Sequence, residues 1–131
     1  MKPASAFFAA CIVALAAGSL GMRLARLGQR PMHGDEANQA VKAAILWETC
    51  AYRYDPHEHH GPSLYWLTLP SLWLSGAKDF GETTEWAYRI VPVVFGAGLI
   101  LLLPLVADGL GRGAALVAAL WATISPAMVF Y

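Results

Sequence analysis

Charge is what this sequence is short of. Of its 131 residues only 14% are Asp, Glu, Lys or Arg, while 57% are hydrophobic. Soluble domains carry about 25% charged residues, so the shortfall points to lipid as the medium around much of the chain. Basic and acidic residues balance at 9 each, with no polybasic or acidic run. That excludes the electrostatic footprint of a nucleic-acid partner. Cysteine is scarce as well. Cys11 falls in the first apolar run and Cys50 in a polar section, so neither a disulfide nor a metal-type cysteine spacing is expected.

What is present is a set of long apolar runs, and the mean hydropathy is +0.47. The first covers residues 4–22, close to the ~20 residues a membrane helix needs, and stops at Arg23, Arg26 and Arg30. The second covers 88–106 and the third 114–131. The polar stretch Asp108-Gly109-Leu110-Gly111-Arg112-Gly113 predicts a tight turn that makes the last two antiparallel neighbours. Pro92, Pro104 and Pro126 are tolerable in membrane helices where neighbours satisfy the freed carbonyls. Gly96 and Gly98 offer close approach to another helix. A signal peptide is the rival reading of the first run, with Lys2, an apolar stretch and Ala14-Leu15-Ala16. The run continues through Leu20 and Met22, long for a cleaved segment, and this favours an uncleaved anchor. The chain ends at Tyr131 inside an apolar run, which reads as the N-terminal part of a longer polytopic protein.

The section 23–85 between the first two runs is patterned. Ala37, Ala40, Val41, Ala44 and Ile45 recur at helical spacing, predicting an amphipathic helix over 35–52. Asp55-Pro56 and Gly61-Pro62 are breakers. A second helix is expected over 62–74, rich in Trp, Tyr and Leu and bent or interrupted at Pro70. Its aromatic content suits the membrane–water interface. Arg23, Arg26 and Arg30 argue for a cytoplasmic section, while Lys2 and Arg112 pull the other way. The section is about as long as the roughly 60 residues beyond which the charge rule loses force, so charge alone leaves its side open.

The chemistry-bearing residues lie in and beside this section. His33-Gly34-Asp35-Glu36 sets two carboxylates at a predicted helix start. Asp35 suits an N-cap and Glu36 complements the helix dipole. The same geometry fixes an ionised carboxylate that can accept a proton or help hold a cation. His57-Glu58-His59-His60 offers zinc or manganese ligands, of which at most one or two would reach one ion; the spacing by itself favours a solvated polar loop. Arg89 opens the second apolar run. It suits either an interfacial anchor or a phosphate contact. Tyr52, Tyr54, Tyr65 and Trp66 fit stacking on a sugar ring or interfacial anchoring.

The order of these features resembles a known family. It runs from a membrane helix to Gly34-Asp35-Glu36, an amphipathic helix, Tyr54-Asp55-Pro56 and His60-Gly61-Pro62-Ser63-Leu64-Tyr65-Trp66-Leu67. Gly81-Glu82, Ala87-Tyr88-Arg89-Ile90-Val91-Pro92, Phe95-Gly96, Ser125-Pro126 and Val129-Phe130-Tyr131 follow. This looks like the N-terminal third or less of a family-39-type integral-membrane glycosyltransferase. The relatives include the protein O-mannosyltransferases and the lipid A aminoarabinose transferases. His33 to Trp66 is most similar to a branch described as flippase-activity-associated. The resemblance implies an all-α integral membrane protein of the GT-C type, multi-pass in the cytoplasmic (inner) membrane. It also implies an extracytoplasmic first loop with two juxtamembrane helices, and transfer of a sugar from a polyprenyl phosphate to an acceptor glycan, lipid or protein with inversion. Asp35 and Glu36 match the catalytic acidic pair, as base or metal-associated carboxylate and its neighbour. Arg89 and His60 match donor-phosphate contacts, and His60 with Glu58 would hold a divalent metal ion. Pro62-Ser63 stands where the family often has two prolines. The alternative function is a non-catalytic membrane protein that assists lipid-linked sugar flipping or glycan assembly.

Overall fold

A computed structural model describes residues 3–25, 27–57 and 61–125. In chain order the helices are α1 (Pro3–Leu24), α2 (Gly34–Thr49), α3 (Ser63–Ser75), α4 (Glu85–Leu102), α5 (Ala107–Leu110) and α6 (Arg112–Ile124). Tight 3-10 turns cover Phe80–Glu82 and Leu103–Val106, and no strand occurs among the described residues. The chain forms two compact units, Met1–Ala25 with Pro92–Tyr131, and Arg26–Val91.

The all-helical class matches the pattern of apolar runs. Ser5–Leu24 and Glu85–Leu110, of 20 and 26 residues, are long and apolar enough to cross a membrane. The third run departs from expectation. Its described helix, α6, has 13 residues, about 20 Å at the α-helical rise, and residues 126–131 lie outside the described ones. The second run starts earlier than expected, at Glu85, and its α-helical part stops at Leu102. Pro104 is the reason for the tightening that follows, because it has no N–H for the regular ladder.

In the first unit α6 packs chiefly along α1, not along α4 as the turn at 108–113 suggested. Phe8, Ile12 and Ala16 of α1 meet Ala115 and Ala119 of α6, and α4 joins through Ile100. Alanine at every fourth position lets the backbones approach. The Thr123 hydroxyl donates to the Ala119 carbonyl at 2.8 Å and lies 3.3 Å from the Leu15 carbonyl of α1. Arg23 continues the buried stripe of α1, and its Nη2 donates to the Ala122 carbonyl at 3.0 Å, near the C-terminus of α6. Lone cations suit that end of a helix. Its guanidinium lies over Gly96, where an added Cβ would meet Nε at 3.0 Å, whereas Gly98 faces open space.

In the second unit α2 and α3 pack face to face against the first turn of α4. Ala40, Ala43 and Leu46 meet Tyr65, Leu69 and Leu72, with Ala87 and Tyr88 closing the cluster. The buried face of α2 is therefore Ala40, Ala43, Ala44 and Leu46; Val41 and Ile45 of the expected stripe are exposed. Alanines admit the bulkier residues of α3, and Leu46 offers more apolar area to bury than its neighbours. α2 ends at Thr49, before the expected position 52, because Cys50 takes the left-handed conformation at φ 53°. α3 runs through Pro70 uninterrupted and ends at Gly76, whose φ of 76° favours glycine. Farther on, the Phe80 N–H donates to the Glu48 carboxylate at 2.8 Å, tying the loop after α3 to the last turn of α2.

Candidate functional site

The acidic pair sits two positions deeper in its helix than an Asp35 cap would put it. His33, with φ −69° and ψ 159°, is the N-cap of α2, and Gly34 is the first helical residue. Asp35 is therefore not the cap. Asp35 and Glu36 both lie in the first turn, at the positive end of the helix dipole. Asp35 is exposed and Glu36 half-buried. The His33 N–H donates to Glu36 Oε2 at 3.2 Å, the reciprocal half of a capping arrangement.

Glu36 is held from the other side by Arg89. Arg89 Nε donates to Glu36 Oε1 at 2.5 Å and Nη2 to Oε2 at 2.9 Å, a two-point fork. Nη1 donates to the Leu27 carbonyl at 2.6 Å. Arg89 is buried, with its side chain 7% exposed, against 26% for Glu36. The hydrogen bonds from Arg89 hold the Glu36 carboxyl below the usual carboxylate value. Burial opposes that shift, and the His33 N–H and the charges of Arg89 and Arg30 add to it. The pair pins the start of α2 to the N-terminal part of α4 and to the segment before α2. Asp35, beside it, is left facing outward on a fixed helix end.

Of the sequence-predicted site residues, the structure thus brings Glu36 and Arg89 together and sets Asp35 next to them. The guanidinium expected at a donor phosphate already makes three donations, leaving one N–H on each terminal nitrogen. His60 and Glu58 lie outside the described residues. Among the described residues no three His, Cys, Asp or Glu side chains form a metal-binding group.

One feature was missed in the sequence. The C-terminal half of α2, the turn after it and the start of α3 enclose an open groove of about 610 Å³. Tyr52, Tyr54 and Tyr65 line it together; Trp66 does not. Lys42 and Asp55 also line it and pair at 3.9 Å. Ile45 and Leu46 contribute apolar surface. The signal available was Lys42 and Ile45, three positions apart on α2, ahead of the Tyr52-Arg53-Tyr54-Asp55 run, which only a correct helix phase would have aligned.

No family model, curated protein or solved structure matches this chain.

Proposed function

We propose that this chain is part of an integral-membrane glycosyltransferase of the GT-C type, moving a sugar from a polyprenyl phosphate to an extracytoplasmic acceptor. The observation that carries the reading is Asp35. It is an exposed carboxylate on a helix start locked by the Glu36–Arg89 fork, in a section flanked by two helices of membrane-spanning length. The order of motifs from Gly34 to Tyr131 supports the same reading.

The chemistry follows from that placement. Asp35 takes the proton of an acceptor hydroxyl as its oxygen attacks the anomeric carbon. The sugar–phosphate bond breaks, its electron pair leaves with the polyprenyl phosphate, and the anomeric centre inverts. Glu36 is a positioning residue: ionised and shared between Arg89 and the His33 N–H, it keeps the first turn of α2 in place. Arg89 keeps one N–H on each terminal nitrogen beyond that duty, and these would stabilise developing phosphate charge. A divalent ion at His60 and Glu58 would add further stabilisation of the leaving phosphate.

The test uses the full-length protein in lipid nanodiscs with a radiolabelled polyprenyl-phosphate sugar. Asp35→Asn is expected to lower transfer by at least about 100-fold, the low end of what a positioned base contributes, with membrane insertion unchanged. Unaltered glycan output from this variant would instead assign the chain an accessory role in lipid-linked sugar flipping or assembly.

A further inference from the structure

The groove after α2 has a composition that the transfer chemistry does not use. Tyr52 and Tyr54 are 39% and 73% exposed, so both rings are accessible. Tyrosine joins an apolar face to a polar tip. That combination matches a sugar ring, which presents C–H groups on its face and hydroxyls at its edge. Lys42 and Asp55 meet only loosely, at 3.9 Å, and both are partly exposed. A vicinal diol fits between such a pair, donating one hydroxyl to the carboxylate and accepting from the ammonium with the other. Arg53 lines the same groove and makes no ion pair with a described residue. The groove volume falls within the range of small-molecule sites.

We propose that this groove is a carbohydrate-binding site that holds a glycan chain by stacking on Tyr52 and Tyr54, with hydroxyls bridging Asp55 and Lys42. The proposal names an oligosaccharide as the acceptor class and in that respect rests on the glycosyltransferase reading. Asp35 and Lys42 are seven positions apart on α2, hence on one face of the helix and about 10 Å apart along it. A chain seated in the groove extends along that face toward the base.

Binding is measured on the full chain in nanodiscs by saturation-transfer NMR and calorimetry, without any donor. The probes are mannotriose, chitotriose and inorganic phosphate. One of the trisaccharides is expected to bind saturably. Tyr54→Ala weakens it by about tenfold and Asp55→Asn by a similar factor, while Tyr54→Phe retains most of the binding. Circular dichroism of each variant confirms the helical fold. Three results overturn the proposal: no binding of either trisaccharide, equal binding by the wild type and Tyr54→Ala, or displacement of the sugar by inorganic phosphate, which would mark an anion site at Arg53. No turnover is involved, so loss of groove binding and loss of transfer are separate results.

Discussion

Glu36 and Arg89, 53 positions apart, share a two-point ion pair in which every carboxylate oxygen is engaged. Removing Arg89 leaves the half-buried Glu36 carboxylate without its fork, at a cost of about 1–3 kcal/mol. Arg89→Leu is therefore expected to lower stability by that order. Arg89→Lys, which keeps the charge and loses the fork, falls in between. The double variant Glu36→Leu with Arg89→Leu costs less than the sum of the two single changes. Thermal unfolding in detergent followed by circular dichroism reads all four; strict additivity would contradict the pairing.

The same pair sets an acid limit. The folded-state value of Glu36 lies below its ordinary 4.5. A group with a depressed pKa contributes stability that is complete above the ordinary value and is lost as pH falls through the folded one. The melting temperature of the wild type is expected to fall below about pH 4.5 more steeply than that of Glu36→Gln. Parallel profiles would remove the pair from the account.

Gly96 makes room for Arg23, and the two should couple. A branched residue there overpacks the niche, which costs roughly 1–3 kcal/mol. Gly96→Val is expected to lower the melting temperature, and Arg23→Ala in the same chain to recover part of the loss. Absence of rescue would show that the close approach at 3.0 Å does not matter to stability.

Much of this was legible in the sequence, and the failures have physical causes. Apolar runs announced the helical class, because lipid-length stretches leave few other options. The helix expected over 62–74 lies within one residue of α3 at each end. The phase of α2 was misread because alanine belongs on either side of a helix: Val41 and Ile45 drew the stripe toward themselves, while Leu46, packed on α3, decided the buried face. The Glu36–Arg89 fork carried no local signal. An arginine at the head of an apolar run asks for a carboxylate partner, yet the sequence offered several. Asp35 was placed at the cap because aspartate is a common cap, and Glu36's bond to the His33 N–H shows why the helix begins earlier.

The exposed side of α3 gives a prediction about lipid. Trp66, Leu67, Trp73 and Leu74 recur at helical spacing and are 51%, 46%, 64% and 87% exposed. In a bilayer this stripe suits the interface. With the other tryptophans changed to Phe, fluorescence of Trp66 and Trp73 is expected to be quenched by lipids brominated near the headgroup more than by lipids brominated at the chain end. Quenching by aqueous iodide alone would place the stripe away from lipid.

The proposed transfer requires the Asp35 carboxylate to lie at the extracytoplasmic membrane surface, and its accessibility is the most direct measurement. With Cys11 and Cys50 replaced by Ser, Asp35→Cys in sealed right-side-out vesicles should react with a membrane-impermeant maleimide before permeabilisation. Reaction only after permeabilisation would put the first turn of α2 on the cytoplasmic side and contradict the proposed transfer.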